Sequence, residues 1–199
     1  MMPFCNVITK NIEKLKGHDI QMIVSSNDQI YDRPAWIMDA YRDRVMGAPH
    51  NLVVLPFVSM HVSTRQLVDH LTSALVGHGV RVELFNLAVT DIGKLAMALV
   101  DAATVVLGVP TVLADPHPLA AYATLLSNAL RPKAQFLPII GSYGWGGKTV
   151  ETLARMIPNL KVEVLEPVLC KGVPSDNDLK ALDRLASTIA EKHKQGGFK

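Results

Sequence analysis

Three short stretches hold residue types that could do chemistry together. Ser59-Met60-His61-Val62-Ser63-Thr64 follows an apolar run and immediately precedes a helical pattern. The first turn of a helix leaves backbone N–H groups without intrahelical partners and carries a partial positive charge, so hydroxyls gathered there add donors around a phosphate dianion. Such a cradle needs no lysine. Serine and threonine are also favoured helix caps, and on the residues alone that reading stands level with the first. Gly108-Val109-Pro110-Thr111, running on to Asp115 and Pro116, offers a rigid turn on which a flat ring could rest. In Gly141-Ser142-Tyr143-Gly144-Trp145-Gly146-Gly147, four glycines would let backbone approach a ligand closely, and Tyr143 and Trp145 supply planar surfaces. The alternative is that these glycines only form turns and the aromatics cover the core.

These loops need a scaffold that brings them to one place. From Asn51 onward, short β-branched runs alternate with stretches of helical period, the pattern of a parallel sheet covered on both faces. Strands are expected over Leu52–Val58, Val80–Asn86, Thr104–Val109, Gln135–Ile140 and Lys161–Val168. Helices are expected near Ser63–Val76, Asp91–Val100, His117–Leu130, Lys148–Ile157 and Ser175–Lys192, with Asp115 capping a helix opened by Pro116 and with Gly77 and Gly79 ending the first. Five βα units make a doubly wound sheet, which binds ligands at the carboxyl ends of its strands where strand order reverses. That places the loops after strands one, three and four together. Pro56 and Pro138 fall inside two of the strands, where a missing ladder donor implies that pairing is ending or that the strand is bulged.

The first 50 residues do not follow the βα repeat. They hold a helical piece (Asn11–Lys16), a short strand (Gln21–Val24) and a helix that Asp32 could cap and Pro34 could open, running to about Val45. We therefore divide the chain into an extension, 1–49, and a main domain, 50–199, joined at Gly47, Ala48 and Pro49. Met22, Ile23, Trp36, Ile37, Met38 and Tyr41 make the extension apolar enough to require a covering surface.

A net charge of +2 is too small to imply nucleic acid, and Lys192, Lys194 and Lys199 are read as solvating the last helix. Cys5 and Cys170 are too far apart in sequence for a metal knuckle or a disulfide framework to be legible, so a reducing cytoplasm is expected. No leader peptide or membrane-length apolar run is recognisable. The seven histidines are dispersed and are read mostly as surface or packing residues.

The run GSYGWGG, with the upstream S-M-x-x-S-T loop, resembles the flavodoxin domain of flavodiiron proteins, which follows a metallo-β-lactamase-like di-iron domain. The resemblance extends from about Lys16 to Lys192, and Asp19-Ile20-Gln21-Met22-Ile23-Val24-Ser25-Ser26-Asn27-Asp28 is similar to the family's closing di-iron segment, D-I-x-M-I-A-P-S-H-G. It implies an α/β, flavodoxin-like, five-stranded parallel sheet of order 2-1-3-4-5 and FMN as cofactor. By the same resemblance Ser59, Ser63 and Thr64 hold the phosphate, and Met60, His61 and Val62 complete that loop. Pro110, Thr111, Val112, Ser142, Tyr143, Gly144, Trp145 and Gly146 flank the isoalloxazine. No acid–base residue is required, because the redox chemistry belongs to the cofactor. The departures are also specific. The family's H-x-E-x-D-H iron cluster has no counterpart, Asn27 stands in place of a ligand histidine, and an amide is a poor substitute for imidazole. Di-iron reduction of oxygen or nitric oxide is thus not expected of this chain alone. His61 replaces a usual Trp, Val58 a usual Asp, and Val112, Leu113 and Ala114 stand where an aromatic or Asn is usual.

The resemblance implies an FMN-binding electron-transfer protein, working with a redox partner protein or a reduced coenzyme, and self-association as a homodimer or a place in a larger complex. A flavin-free docking or assembly subunit is the alternative. A small flavin reductase acting on a diffusible substrate is a third reading.

Overall fold

The computed structural model describes residues 4–27 and 29–198. Asp28 and Lys199, which figured in the reading above, lie outside them. The chain divides into two compact units between Gly47 and Ala48. In the first, α1 (Cys5–Lys14) packs on α2 (Pro34–Met46), and β1 (Ile23–Val24) pairs antiparallel with β2 (Ile30–Tyr31). α1 starts earlier than the sequence pattern suggested. Pro34 opens α2 as expected, but Arg33 rather than Asp32 holds the cap position and no side chain caps the helix.

The second unit contains β3 (His50–Phe57), α3 (Ser63–Gly77), β4 (Arg81–Asn86), α4 (Ile92–Ala98), β5 (Ala102–Val105), β6 (Leu107–Val112), β7 (Asp115–Pro116), α5 (Pro118–Leu130), β8 (Ile139–Tyr143), α6 (Thr149–Arg155), β9 (Val168–Lys171) and α7 (Asp176–Gln195). The sheet order is β4-β3-β6-β8-β9, with β5 beside β3 as the lower half of strand three, and these pairings are all parallel. Counting strand three as one, this is the 2-1-3-4-5 order of a flavodoxin-like fold.

Alternation along β3 explains the two layers. Val53, Leu55 and Phe57 enter one core with Leu67, Leu71 and Leu75 of α3 and Leu182, Leu185 and Ile189 of α7. Leu52 and Val54 enter the other with residues of α4, α5 and α6. In α3 the buried leucines recur every four residues, and each contributes roughly 1.5–3 kcal/mol by leaving water. His78 caps the helix and Gly79 turns the chain at φ 76°. α7 starts on a capping box in which the Ser175 hydroxyl and the Asp178 carboxylate each bond the other's backbone N–H.

Strands three to five differ from the sequence boundaries. In place of continuous strands over Gln135–Ile140 and Lys161–Val168, Phe136 and Glu163 make isolated bridges, and regular pairing begins only at Ile139 and Val168. Prolines account for much of this, because Pro138 and Pro167 directly precede β8 and β9. Pro56 does not end its strand: it stays in register with Phe85 on the β4 side. On the other side Val106 N–H donates to the Val54 carbonyl, so the ladder's next donor, to the Val106 carbonyl, would be the absent N–H of Pro56. Likewise Val105 N–H donates to the Phe136 carbonyl, and the missing return donor is Pro138. The two prolines thus face the same break in strand three.

Candidate functional site

The loop after β3 is held at both ends. Val58 N–H donates to the Gly108 carbonyl at 3.0 Å, and Ser59 Oγ accepts from Arg65 N–H at 3.2 Å. Between them Ser63 N–H donates to the His61 carbonyl at 2.9 Å, closing a three-residue turn around Val62 at φ 69°, ψ −30°. Such γ-turns are rare and strained, and a β-branched residue at positive φ is unusual. The Val62 side chain gives α3 no cap. As a result the N–H groups of Met60, His61, Val62 and Thr64 donate to no acceptor among the described residues. These open donors lie at the positive end of α3.

The hydroxyls in this loop differ from one another. Ser63 lines the cavity described below and its hydroxyl has no partner among the described residues. The Ser59 Oγ accepts from Arg65 N–H, which leaves its own O–H free to donate. Thr64 is 1% exposed and its Oγ1 lies 2.9 Å from Ser142 Oγ, tying α3 to β8. Ser59, Val62 and Thr64 do not line the cavity wall. The Ser59 and Thr64 hydroxyls both also help to hold the loop.

After β6 the chain makes a hairpin with β7, pairing Thr111 with Pro116 and Val112 with Asp115. Leu113 and Ala114 form its two-residue tip at φ 49° and 71°, as a type I′ turn requires but as non-glycine residues seldom adopt. Asp115 and Pro116 therefore belong to a strand and do not start α5. Pro118 occupies the first turn of α5, and His117 Nδ1 caps it by accepting from Leu119 N–H at 3.2 Å. The hairpin is clamped to α6: Thr111 Oγ1 lies 2.8 Å from Thr149 Oγ1, Thr152 Oγ1 donates to Asp115 Oδ1 at 3.1 Å, and Lys148 N–H donates to the Ala114 carbonyl at 2.8 Å.

The glycine-rich loop shows why two of its glycines are glycines. A Cβ on Gly141 would lie 2.0 Å from the Val109 carbonyl oxygen, and one on Gly147 would lie 2.6 Å from the Ala114 carbonyl oxygen. The loop is pressed against strand three and the hairpin tip. Trp145 is 85% exposed, so it is no lid on the core.

These loops enclose a cavity of about 390 Å³, within the range of small-ligand sites. Met60, His61 and Ser63 line it from the first loop, and Pro110, Thr111, Val112, Leu113 and Ala114 from the hairpin. Ser142, Tyr143, Gly144, Trp145 and Gly146 line it from the fourth loop, and Gly172 from the loop after β9. Leu113, Ala114 and Gly172 were not expected. The first two carry no polar group, while Gly172 could have been suspected because it also precedes a helix at the same sheet edge. Behind it, burial pushes the Cys170 thiol up to about 11, with the negative charge of Asp178 adding to the effect, so no thiolate nucleophile is available there.

No protein-family model matches the chain. A nitric oxide reductase from Moorella thermoacetica is 31% identical over 199 residues, covering 96% of this chain and 49% of that protein. The solved rubredoxin oxygen:oxidoreductase of Desulfovibrio gigas matches with a TM-score of 0.91 at 26% identity, over 98% of this chain and 50% of that one. This chain is a relative of the flavodiiron proteins. It spans about half the length of the curated flavodiiron relatives it matches. An archaeal flavodoxin, matched over 99% of its own length and 72% of this chain at a TM-score of 0.62 and 23% identity, shares the fold. Among the described residues, no helix is long and apolar enough to cross a membrane.

Proposed function

We propose that the chain binds FMN in this cavity and passes electrons as a flavoprotein, either alone or as a subunit. One observation carries the reading: the amides of Met60, His61, Val62 and Thr64 donate to no acceptor among the described residues, and in the same loop, at the start of α3, Met60, His61 and an unpartnered Ser63 line the cavity. A phosphate dianion matches such a set of donors, and the helix dipole supplies attraction that no lysine does. The residues also fit a flat ring, since apolar walls from Pro110, Val112 and Leu113 stand with Tyr143 and Trp145 at the same opening.

When bound, FMN would supply electron transfer in steps of one or two electrons. The chain's own part is to bind and orient. Thr64 and Ser142 fix the distance between the first and fourth loops, Thr111 and Thr149 fix the hairpin, and Gly144 and Gly146 leave backbone open toward the ligand. Electrons would come from a redox partner protein or a reduced coenzyme, and self-association into a homodimer or joining a larger complex fits the ancestry. The residues 1–49 are read as resembling the end of a di-iron domain, with Asn27 where a ligand histidine would stand.

Titration with FMN and with riboflavin tests the proposal. FMN should bind about 100-fold more tightly, a difference of about 3 kcal/mol, and inorganic phosphate should weaken FMN but not riboflavin. Equal affinities would remove the phosphate cradle. A colourless protein that takes up neither would support a flavin-free docking subunit, a reading favoured by Leu113, Trp145 and Val173 at 87%, 85% and 71% exposed.

A further inference from the structure

Two side chains in the cavity wall can titrate, His61 and Tyr143, and the wall contains no Asp, Glu, Lys or Arg. The charges around it are engaged or exposed. On α3, Arg65 Nε donates to both carboxylate oxygens of Asp69, at 2.7 and 2.9 Å, and its guanidinium lies over Phe57. On the hairpin, Asp115 accepts from Thr152. Lys148 and Lys171, at the ends of the fourth and fifth loops, are exposed, and the Asp178 carboxylate is held by Ser175. Of the two titratable types in the wall, only imidazole ordinarily changes charge between pH 5 and 8. Its main chain is also fixed, because the His61 carbonyl accepts from Ser63 and the loop is anchored at Ser59.

We propose that His61 couples a proton to reduction of the flavin, an inference that rests on the FMN reading. Two electrons from an added reductant and one proton convert the neutral oxidised ring to an anion. A second proton is taken up by the His61 imidazole, whose cation then offsets that anion. Two electrons and two protons are consumed in all. With an untitratable residue at position 61, the same two electrons bring one proton. The wall holds no carboxylate to compete for the imidazolium, and exclusion of water by the ligand strengthens the attraction.

The test uses the full chain and its His61→Gln variant, both loaded with FMN, with midpoint potentials measured from about pH 5 to 9. Across the imidazole range the wild-type reduction equilibrium should gain a further tenfold per pH unit over the variant, about 30 mV for a two-electron couple. NMR of the His61 ring in the wild type should show its titration moving to higher pH on reduction. Equal slopes in the two proteins, or an unmoved His61 titration, overturn the coupling while leaving FMN binding intact. Failure of both proteins to take up FMN in an absorbance titration instead sinks the cofactor reading, and the coupling falls with it.

Discussion

The two ends of the same sheet are built on opposite rules. At the amino ends of strands one and three, His193 lies buried with Nδ1 2.9 Å from Asn51 Oδ1 and Nε2 2.7 Å from Thr104 Oγ1. Asn51 Nδ2 donates to the Gly79 carbonyl, which turns its oxygen toward the imidazole, so His193 donates from Nδ1 and accepts the Thr104 hydroxyl at Nε2. Phe136 and Phe198 pack on the ring, and every polar atom of the set is satisfied. At the carboxyl ends, four amides stay open and Val62, Leu113 and Ala114 hold positive φ. Of the positive-φ non-glycine residues described, only Arg131, the left-handed cap of α5, lies elsewhere. One end is closed on its own hydrogen bonds, and the other keeps donors and strain that a ligand could use.

The largest effect should come from the closed end. Burial lowers the His193 pKa from 6.5 to about 4, so the unfolded chain binds a proton more readily than the folded one. That stability is full above pH 6.5 and is lost as pH falls toward 4, roughly 3 kcal/mol in all. Urea midpoints measured across that window should fall steeply for the wild type and much less for His193→Gln. A parallel decline in the variant would mean that other groups set the acid limit.

Next in size is Gly147→Ala. Its Cβ would meet the Ala114 carbonyl and the Thr111 methyl, forcing the glycine-rich loop off the hairpin at about 1–3 kcal/mol. FMN affinity should drop by at least about tenfold, the equivalent of 1.4 kcal/mol. An unchanged affinity would show that the fourth loop does not hold the ring. Val62→Gly should act in the other direction on stability, relieving about 1 kcal/mol of backbone strain and raising the thermal midpoint. It should not improve FMN binding, because a looser γ-turn holds its amides less firmly. The smallest change is Ala114→Gly, which suits the I′ turn and should stabilise by about 0.5–1 kcal/mol without altering FMN affinity.

Much of this architecture was legible in the residues. α3 and α7 announced themselves through their helical period, and the end of α3 through Gly77 and Gly79, signals that are local. Strands four and five were harder, because the β-branched runs around Phe136 and Glu163 lie along the sheet without a regular ladder, and apolar character marks burial more surely than hydrogen bonding. At the site, the three loops were found from strand ends and composition. The division of labour among the hydroxyls was hidden, since Ser59, Ser63 and Thr64 look alike in sequence and differ only in which neighbour each meets. The hairpin was hidden too. Leu113 and Ala114 are poor I′ residues, so nothing local signals the turn that the clamp of Thr111, Asp115 and Lys148 on α6 imposes.

The paired prolines bear on how the chain reaches this arrangement. Parallel strands have no tight turn to align them, and sliding one past its neighbour by two residues keeps the same faces buried. Pro56 and Pro138 withhold a donor from the Val106 and Val105 carbonyls respectively, so both missing bonds fall where strand three is interrupted between β5 and β6. In the observed register the two missing donors and the break in strand three coincide across the three central strands. That register brings the ends of β3, β6 and β8 to the rim where the three loops meet.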